Sequence, residues 1–151
     1  MPTNGRNIYQ AARNAAGLTQ ERAAEMIGVS CRCLADYEAG QRMPANDVVV
    51  RMVDVYDARY LAYQHLRESS EMARRIIPDA GVLELPEAVL TLISCVYEFA
   101  DDRIDRQLIA IAQDGLIDED ERPRFDAAVK KIEKIVQAAL AVVYNGAARK
   151  E

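Results

Sequence analysis

From residue 8 to residue 66 apolar side chains recur at three- and four-residue steps, and the pattern is interrupted at short intervals by glycine, proline or a residue that can cap a helix. Ile8, Ala11, Ala12 and Ala15 share one helical face, and Gly17 closes that helix. Thr19 can cap a second helix, in which Ala23, Ala24 and Ile27 place small apolar groups on one side. Gly28 and Val29 then make a turn. Ser30 offers the next cap, Leu34 and Tyr37 carry a third apolar face, and Gly40 with Pro44 ends it. Asn46 can cap a fourth helix with Val48, Val49, Met52, Val53 and Tyr56 spaced for burial. A short fifth helix, RYLAYQHL, follows Asp57, which is its expected cap. No strand-like alternation interrupts this run, so the first half reads as a small five-helix bundle.

The second half has a longer rhythm. Residues 68–85 contain serines, Pro78 and Gly81 and are expected to be a connection, in part helical. Pro86 opens a long helix where its missing N–H does no harm, and Val89, Leu92, Ile93, Val96, Phe99, Ala100, Ile104, Leu108 and Ile111 keep helical spacing up to a stop at Gly115. Asp118 and Glu121 have capping-box spacing, with Pro123 near the first turn of a last helix that runs to about Asn145 and Gly146. Its predicted buried face is Ile132, Ile135, Val136, Ala139, Leu140 and Val143. The expected organisation is all-α, with an N-terminal domain over 1–67, a linker over 68–85 and a C-terminal helical hairpin over 86–151. Two long helices make an incomplete core, so they are expected to pack on the N-terminal domain, on a second copy, or on both, and a homodimer is predicted.

Composition adds constraints. Half of the 151 residues are hydrophobic, enough for a packed core throughout. The start, MPTNGRN, lacks a basic-then-apolar leader, and the uncharged stretch 135–148 is too short and too often interrupted to span a bilayer; a cytoplasmic protein without a membrane partner is expected. Cys31, Cys33 and Cys95 are then reduced thiols. The net charge of -5 is unevenly placed: residues 1–68 carry eight arginines and eight acids, while residues 69–151 carry the whole excess of acid. The first half is therefore the one able to approach a polyanion, through local clusters rather than bulk charge.

The stretch 17–44 reads as a helix-turn-helix, in which small residues on one helix let the next cross it closely. Its details carry a family resemblance: Gly17, Leu18, Thr19 and Gln20 entering the second helix, Ala24, then Ile27, Gly28, Val29 and Ser30 at the turn, Leu34, and Tyr37, Glu38, Ala39 and Gly40 followed by Pro44. Residues 8–66 resemble the Cro/Xre-type helix-turn-helix family of phage repressors and bacterial regulators. The resemblance implies a lambda-repressor-like five-helix domain that binds double-stranded DNA, with no catalytic role. It also implies that Gln20 bonds a phosphate beside a helix N-terminus, and that Arg13 and Glu38 form an ion pair between the first and third helices. The outward face of the third helix holds Cys31, Arg32, Ala35, Asp36 and Ala39, beside the capping Ser30. Arg32 is the expected base reader through guanine O6 and N7, Asp36 can accept from a cytosine amine, and Cys31 offers an apolar contact such as a thymine methyl. Arg42 is the expected phosphate contact, with Arg6 and Arg22 as weaker candidates. A second reading, set by the neutral first half, Asp36 and the acidic second half, is a protein-interaction module such as an antitoxin or adaptor.

Other chemistry is not supported by the spacing. Cys31 and Cys33 lie two apart, on diverging directions of a helix, so they do not chelate one metal together. The run from Asp114 to Glu121 has an EF-hand flavour, but loop positions one and three fall on Ala110 and Ala112, and a helix stop followed by a cap explains it. His65 is expected to pack near the end of the fifth helix, and Asp101, Asp102 and Asp105 to form a solvated face. There is no glycine-rich phosphate loop, no metal-ligand spacing and no acid-base set, so neither enzyme nor cofactor is expected.

Overall fold

The computed structural model describes residues 7–81, 83–113 and 115–145. Their helices are α1 (Ile8–Ala15), α2 (Gln20–Ile27), α3 (Cys31–Glu38), α4 (Asn46–Tyr56), α5 (Arg59–Glu68), α6 (Glu71–Ile76), α7 (Leu85–Asp101), α8 (Ile104–Ile111) and α9 (Arg122–Asn145), and no strand occurs among the described residues. The chain divides into two units, one running to Ile77 and the other beginning at Pro78.

In the first unit Ala23, Ala24, Ile27, Leu34, Val49, Met52, Tyr56 and Leu61 are buried together. The two alanines of α2 are fully covered, which is what lets α3 cross close to it. Ile27, Leu34, Met52 and Leu61 are the largest fully buried side chains, and each truncated to alanine would cost about 2–5 kcal/mol. The turn between α2 and α3 needs its glycine: Gly28 has φ 77°, and the N–H groups of Gly28 and Val29 both donate to Ala24 O at 3.0 Å, closing the last turn of α2. Thr19 Oγ1 accepts from Arg22 N and Ser30 Oγ from Cys33 N, so both predicted caps form.

Several local expectations are corrected. The buried face of α1 is Tyr9 and Arg13 with Ala12 partly covered, while Ala11 and Ala15 are exposed. Asn46 does not cap α4, which starts from Ala45 without a side-chain cap; its Oδ1 accepts from His65 Nε2 at 2.9 Å instead. Asp57 belongs to the end of α4, where it takes a left-handed conformation at φ 49°, and the N-cap position of α5 is Ala58, without a side-chain cap. Asp is among the few non-glycine residues that adopt this region readily. Within the connection over 68–85, expected to be in part helical, residues 71–76 form α6, packed on α5 in the first unit.

In the second unit α7 and α9 pack along each other and α8 packs on both. The helix expected from Pro86 to Ile111 is two helices, separated at Asp102 and Arg103, the latter at φ 53°. Gln107 Nε2 donates to Asp102 O at 2.9 Å and Lys131 Nζ pairs with the Asp102 carboxylate at 2.5 Å, which fixes the break and lets Ile104 and Ile111 turn inward. Asp118 and Glu121 form the capping box reciprocally, Glu121 N donating to Asp118 Oδ1 at 2.7 Å and Asp118 N to Glu121 Oε2 at 3.4 Å. The buried positions of α9 are Ala128, Ala138 and Ala141; Ile132, Val136 and Val143 from the predicted buried face are exposed. Gly146, at the expected end of that helix, lies outside the described residues.

Candidate nucleic-acid interface

The recognition geometry is built from an ion pair outward. Arg13 Nε and Nη2 donate to the two carboxylate oxygens of Glu38 at 2.6 and 3.0 Å, and Arg13 Nη1 donates to Leu18 O at 2.6 Å. Both side chains are buried, and the bond to Glu38 holds the Arg13 guanidinium above its ordinary pKa. Glu38 is the last residue of α3, and Leu18 precedes α2. One bidentate pair therefore fixes the end of the third helix and the entry to the second relative to the first.

Gln20, the first residue of α2, is half-buried and donates from Nε2 to Glu38 Oε2 at 2.8 Å. An amide nitrogen has a second N–H, so the contact to Glu38 leaves one donor for a phosphate. Ser30 is exposed, and its oxygen serves the α3 cap as an acceptor, leaving the hydroxyl proton available. Cys31 and Arg32 follow in the first turn of α3, both exposed, while Ala35 and Asp36 one turn later are half-buried. Cys33 is partly buried against the core, and its neighbouring thiol together with burial pushes the Tyr37 hydroxyl up. The two cysteines of the C-x-C thus diverge, and no cluster of metal-ligating side chains occurs among the described residues.

Beyond α3, Gln41 N and Arg42 N donate to Asp36 O at 3.0 and 3.4 Å, so the backbone turns back at Gly40, whose φ of 71° suits glycine. Arg42 is exposed and its guanidinium lies 6.0 Å from the centre of the Tyr37 ring, a cation–π arrangement that directs it beside the helix end. Asn7 Nδ2 donates to Tyr37 O at 2.8 Å, tying the start of α1 to the same corner. Among the described arginines, Arg22 is paired with Glu25 at 2.7 Å and Arg51 with Asp47 at 3.1 Å, whereas Arg32 and Arg42 have no carboxylate partner. Arg6 lies outside the described residues.

The sequence pattern did not reveal that Glu38 holds Gln20 as well as Arg13. The signal was the spacing that brings the first residue of α2 and the last of α3 onto the same arginine, which becomes visible only once the crossing of the helices is known. His65 is likewise more than packing: the Tyr9 hydroxyl and His65 Nδ1 lie 2.8 Å apart, and its Nε2 faces Asn46. This chain, buried at Tyr9 and His65 and reaching the surface at Asn46, links α1, α5 and the start of α4, the helix that follows the α3 turn.

The fold and these exposed groups define a helix-turn-helix domain presenting the start of α2 and one face of α3 to solvent. Residues 10–63 match a family model described as Helix-turn-helix, and this segment is a helix-turn-helix of the Cro/C1 type. No curated protein and no solved structure matches the chain. Among the described residues, no helix is long and apolar enough to cross a membrane.

Proposed function

We propose that the protein is a cytoplasmic, sequence-specific DNA-binding transcriptional regulator of bacterial or phage type that acts as a homodimer and has no enzymatic activity. The observation that carries this reading is the pair of exposed, carboxylate-free arginines, Arg32 in the first turn of α3 and Arg42 in the loop just after it, in a helix-turn-helix frame. In the complex α3 enters the major groove. Gln20, Ser30 and Arg42 contact phosphates and set the register, and Arg32 reads a guanine edge with two hydrogen bonds worth about 1–3 kcal/mol of discrimination. Cys31 and Ala35 give apolar contact, and Asp36 accepts from a cytosine amine. Selection of bound sequences from a random DNA pool tests the proposal: enrichment of an inverted repeat is expected, and recovery of no preferred sequence overturns it.

The second reading, an antitoxin or adaptor that keeps the helix-turn-helix fold while its acidic helical second half binds a protein, is favoured by the zero net charge of residues 1–68, by Asp36 within the α3 face and by the net charge of -5.

A further inference from the structure

The second unit buries mostly alanine while many of its large apolar side chains stay exposed. Its buried hydrophobic residues among those described are Ala80, Ala88, Ile104, Ile111, Ala128, Ala138 and Ala141, five of the seven being alanine. Meanwhile Val89, Ile93 and Val96 on α7 and Ile132, Val136 and Val143 on α9 are each between 38% and 61% exposed. The two sets are level with each other, because α7 and α9 run antiparallel: Asp102 meets Lys131, and Cys95 lies with Lys134 and Ala138. On each helix the set recurs at steps of three, four or seven residues, hence on one face. On the opposite flank of the hairpin, Ala80 and Leu83 line a cavity together with Thr91 and Cys95.

Over residues 88–97 of α7 and 135–144 of α9 there is no charged side chain on any face. Thr91, Ser94 and Gln137 are the polar residues of these windows, and an uncharged apolar stripe of this kind is a face that something covers. A bilayer is not the cover this length fits, because ten helical residues rise about 15 Å against a hydrocarbon core of about 30 Å. With Leu90 and Tyr97 at the edge, eight large apolar side chains of the hairpin stay exposed on or beside this face. The charges also select what fits. α7 carries Glu87, Glu98 and Asp101 and no basic residue, whereas α9 carries Arg122, Arg124, Lys130, Lys131 and Lys134 against Asp126 and Glu133. An acidic helix and a basic helix of the same hairpin are complementary to the same hairpin turned about an axis parallel to them.

From this we infer that the exposed α7–α9 face takes a second copy of the same chain, giving a four-helix bundle in which each α7 lies between the α9 of its own chain and the α9 of the other. All neighbours are then antiparallel and of opposite charge, and the alanine seams lie within each hairpin while the valine and isoleucine stripes form the joint. The inference specifies the dimer contact of the proposed regulator and so rests on that reading, but its test contains no DNA and fails independently of it. The full chain, at micromolar concentration, is examined by sedimentation equilibrium and circular dichroism. A particle of twice 16.8 kDa is expected. Ile93→Lys and Val136→Glu, both at exposed positions, should each keep the helical spectrum and weaken self-association at least about thirtyfold, as for a central interface residue. Mixing the two variants should restore a dimer, because one of the two symmetric joints then carries opposite charges. A monomeric wild-type chain, with or without affinity for lipid vesicles, overturns the inference, as does a dimer indifferent to both substitutions. A mixture that stays monomeric overturns the alternating arrangement.

Discussion

Gln20 Nε2 and Arg13 Nη2 donate to the same oxygen of Glu38, at 2.8 and 3.0 Å. The side chain proposed to hold a phosphate is therefore positioned by the buried ion pair that also fixes the end of α3. Gln20→Ala removes a hydrogen bond to a charged acceptor and should lower stability by about 1.5–3 kcal/mol, measured by urea unfolding. Gln20→Glu sets a second carboxylate against Glu38 and should cost more than the alanine. If the glutamate variant were as stable as the wild type, the contact would not have the stated role.

Removing one member of the Arg13–Glu38 pair strands the other. Both side chains are buried, so Arg13→Ala or Glu38→Ala should each destabilise by about 3–5 kcal/mol. The double variant should lose clearly less than the sum of the two, because it leaves no unpaired charge. Equal and additive losses in chemical denaturation would mean that the two groups act separately.

Tyr56 is the opposite case. Its hydroxyl is buried without a hydrogen-bond partner, and its pKa is pushed up to about 12, first by burial and then by the nearby Glu38. A buried polar group left unpaired is a cost. Tyr56→Phe should leave stability unchanged or raise it by up to about 1 kcal/mol, which thermal unfolding at one pH will show; a loss above that would point to a partner for the hydroxyl.

How much of this was legible in the sequence depends on the scale of the contact. The turn at Gly28 and the caps at Thr19, Ser30 and Asp118 follow from residues at most four apart, and these formed as expected. Asn46 and Asp57 failed for one reason: a residue able to cap can be claimed by a different demand, a buried histidine from α5 in the first case and a left-handed helix end in the second. Helical spacing marks apolar residues without saying which are covered first. Where α7 and α9 pack along each other, Ala88, Ala128, Ala138 and Ala141 are buried, because helices come closest where side chains are smallest, while Val89, Ile93, Val96, Ile132, Val136 and Val143 of the same pattern stay exposed. The break at Asp102 and Arg103 had no glycine or proline to announce it. Arg13, Gln20 and Glu38 are far apart in sequence, and only the family resemblance linked the first and last.

His65 gives a pH dependence with a definite sign. It is buried, its Nε2 faces the Asn46 carbonyl oxygen as a donor and its Nδ1 accepts from the Tyr9 hydroxyl, an arrangement that suits the neutral ring. Burial lowers its pKa below the 6.5 of a free imidazole side chain. The unfolded chain then binds the proton more readily, so the stability that depends on neutral His65 is fully present above pH 6.5 and is lost as pH falls through the folded pKa. Unfolding free energies taken from pH 8 down to pH 5 should show this fall in the wild type and a flatter profile in His65→Gln. Parallel profiles for the two proteins would remove His65 as the cause.

Arg32 and Arg42 are both exposed and unpaired, but they are assigned different work, and salt separates the two. An arginine on a phosphate displaces a condensed counterion, so Arg42→Ala should weaken binding to any duplex and reduce the slope of log affinity against log salt by about one. An arginine bidentate to guanine contributes to the chosen site far more than to others, so Arg32→Ala should cost about 1–3 kcal/mol on the selected sequence and little on an unrelated one. Both are measured on one duplex pair across a salt series. The same series distinguishes DNA binding from the adaptor reading, because a protein partner held on apolar surface keeps its affinity as salt rises. Arg32→Ala without effect on the selected sequence would leave α3 without its assigned reader. The selectivity would then have to come from Cys31, Ala35 and Asp36, a set with one hydrogen-bonding carboxylate and no cation.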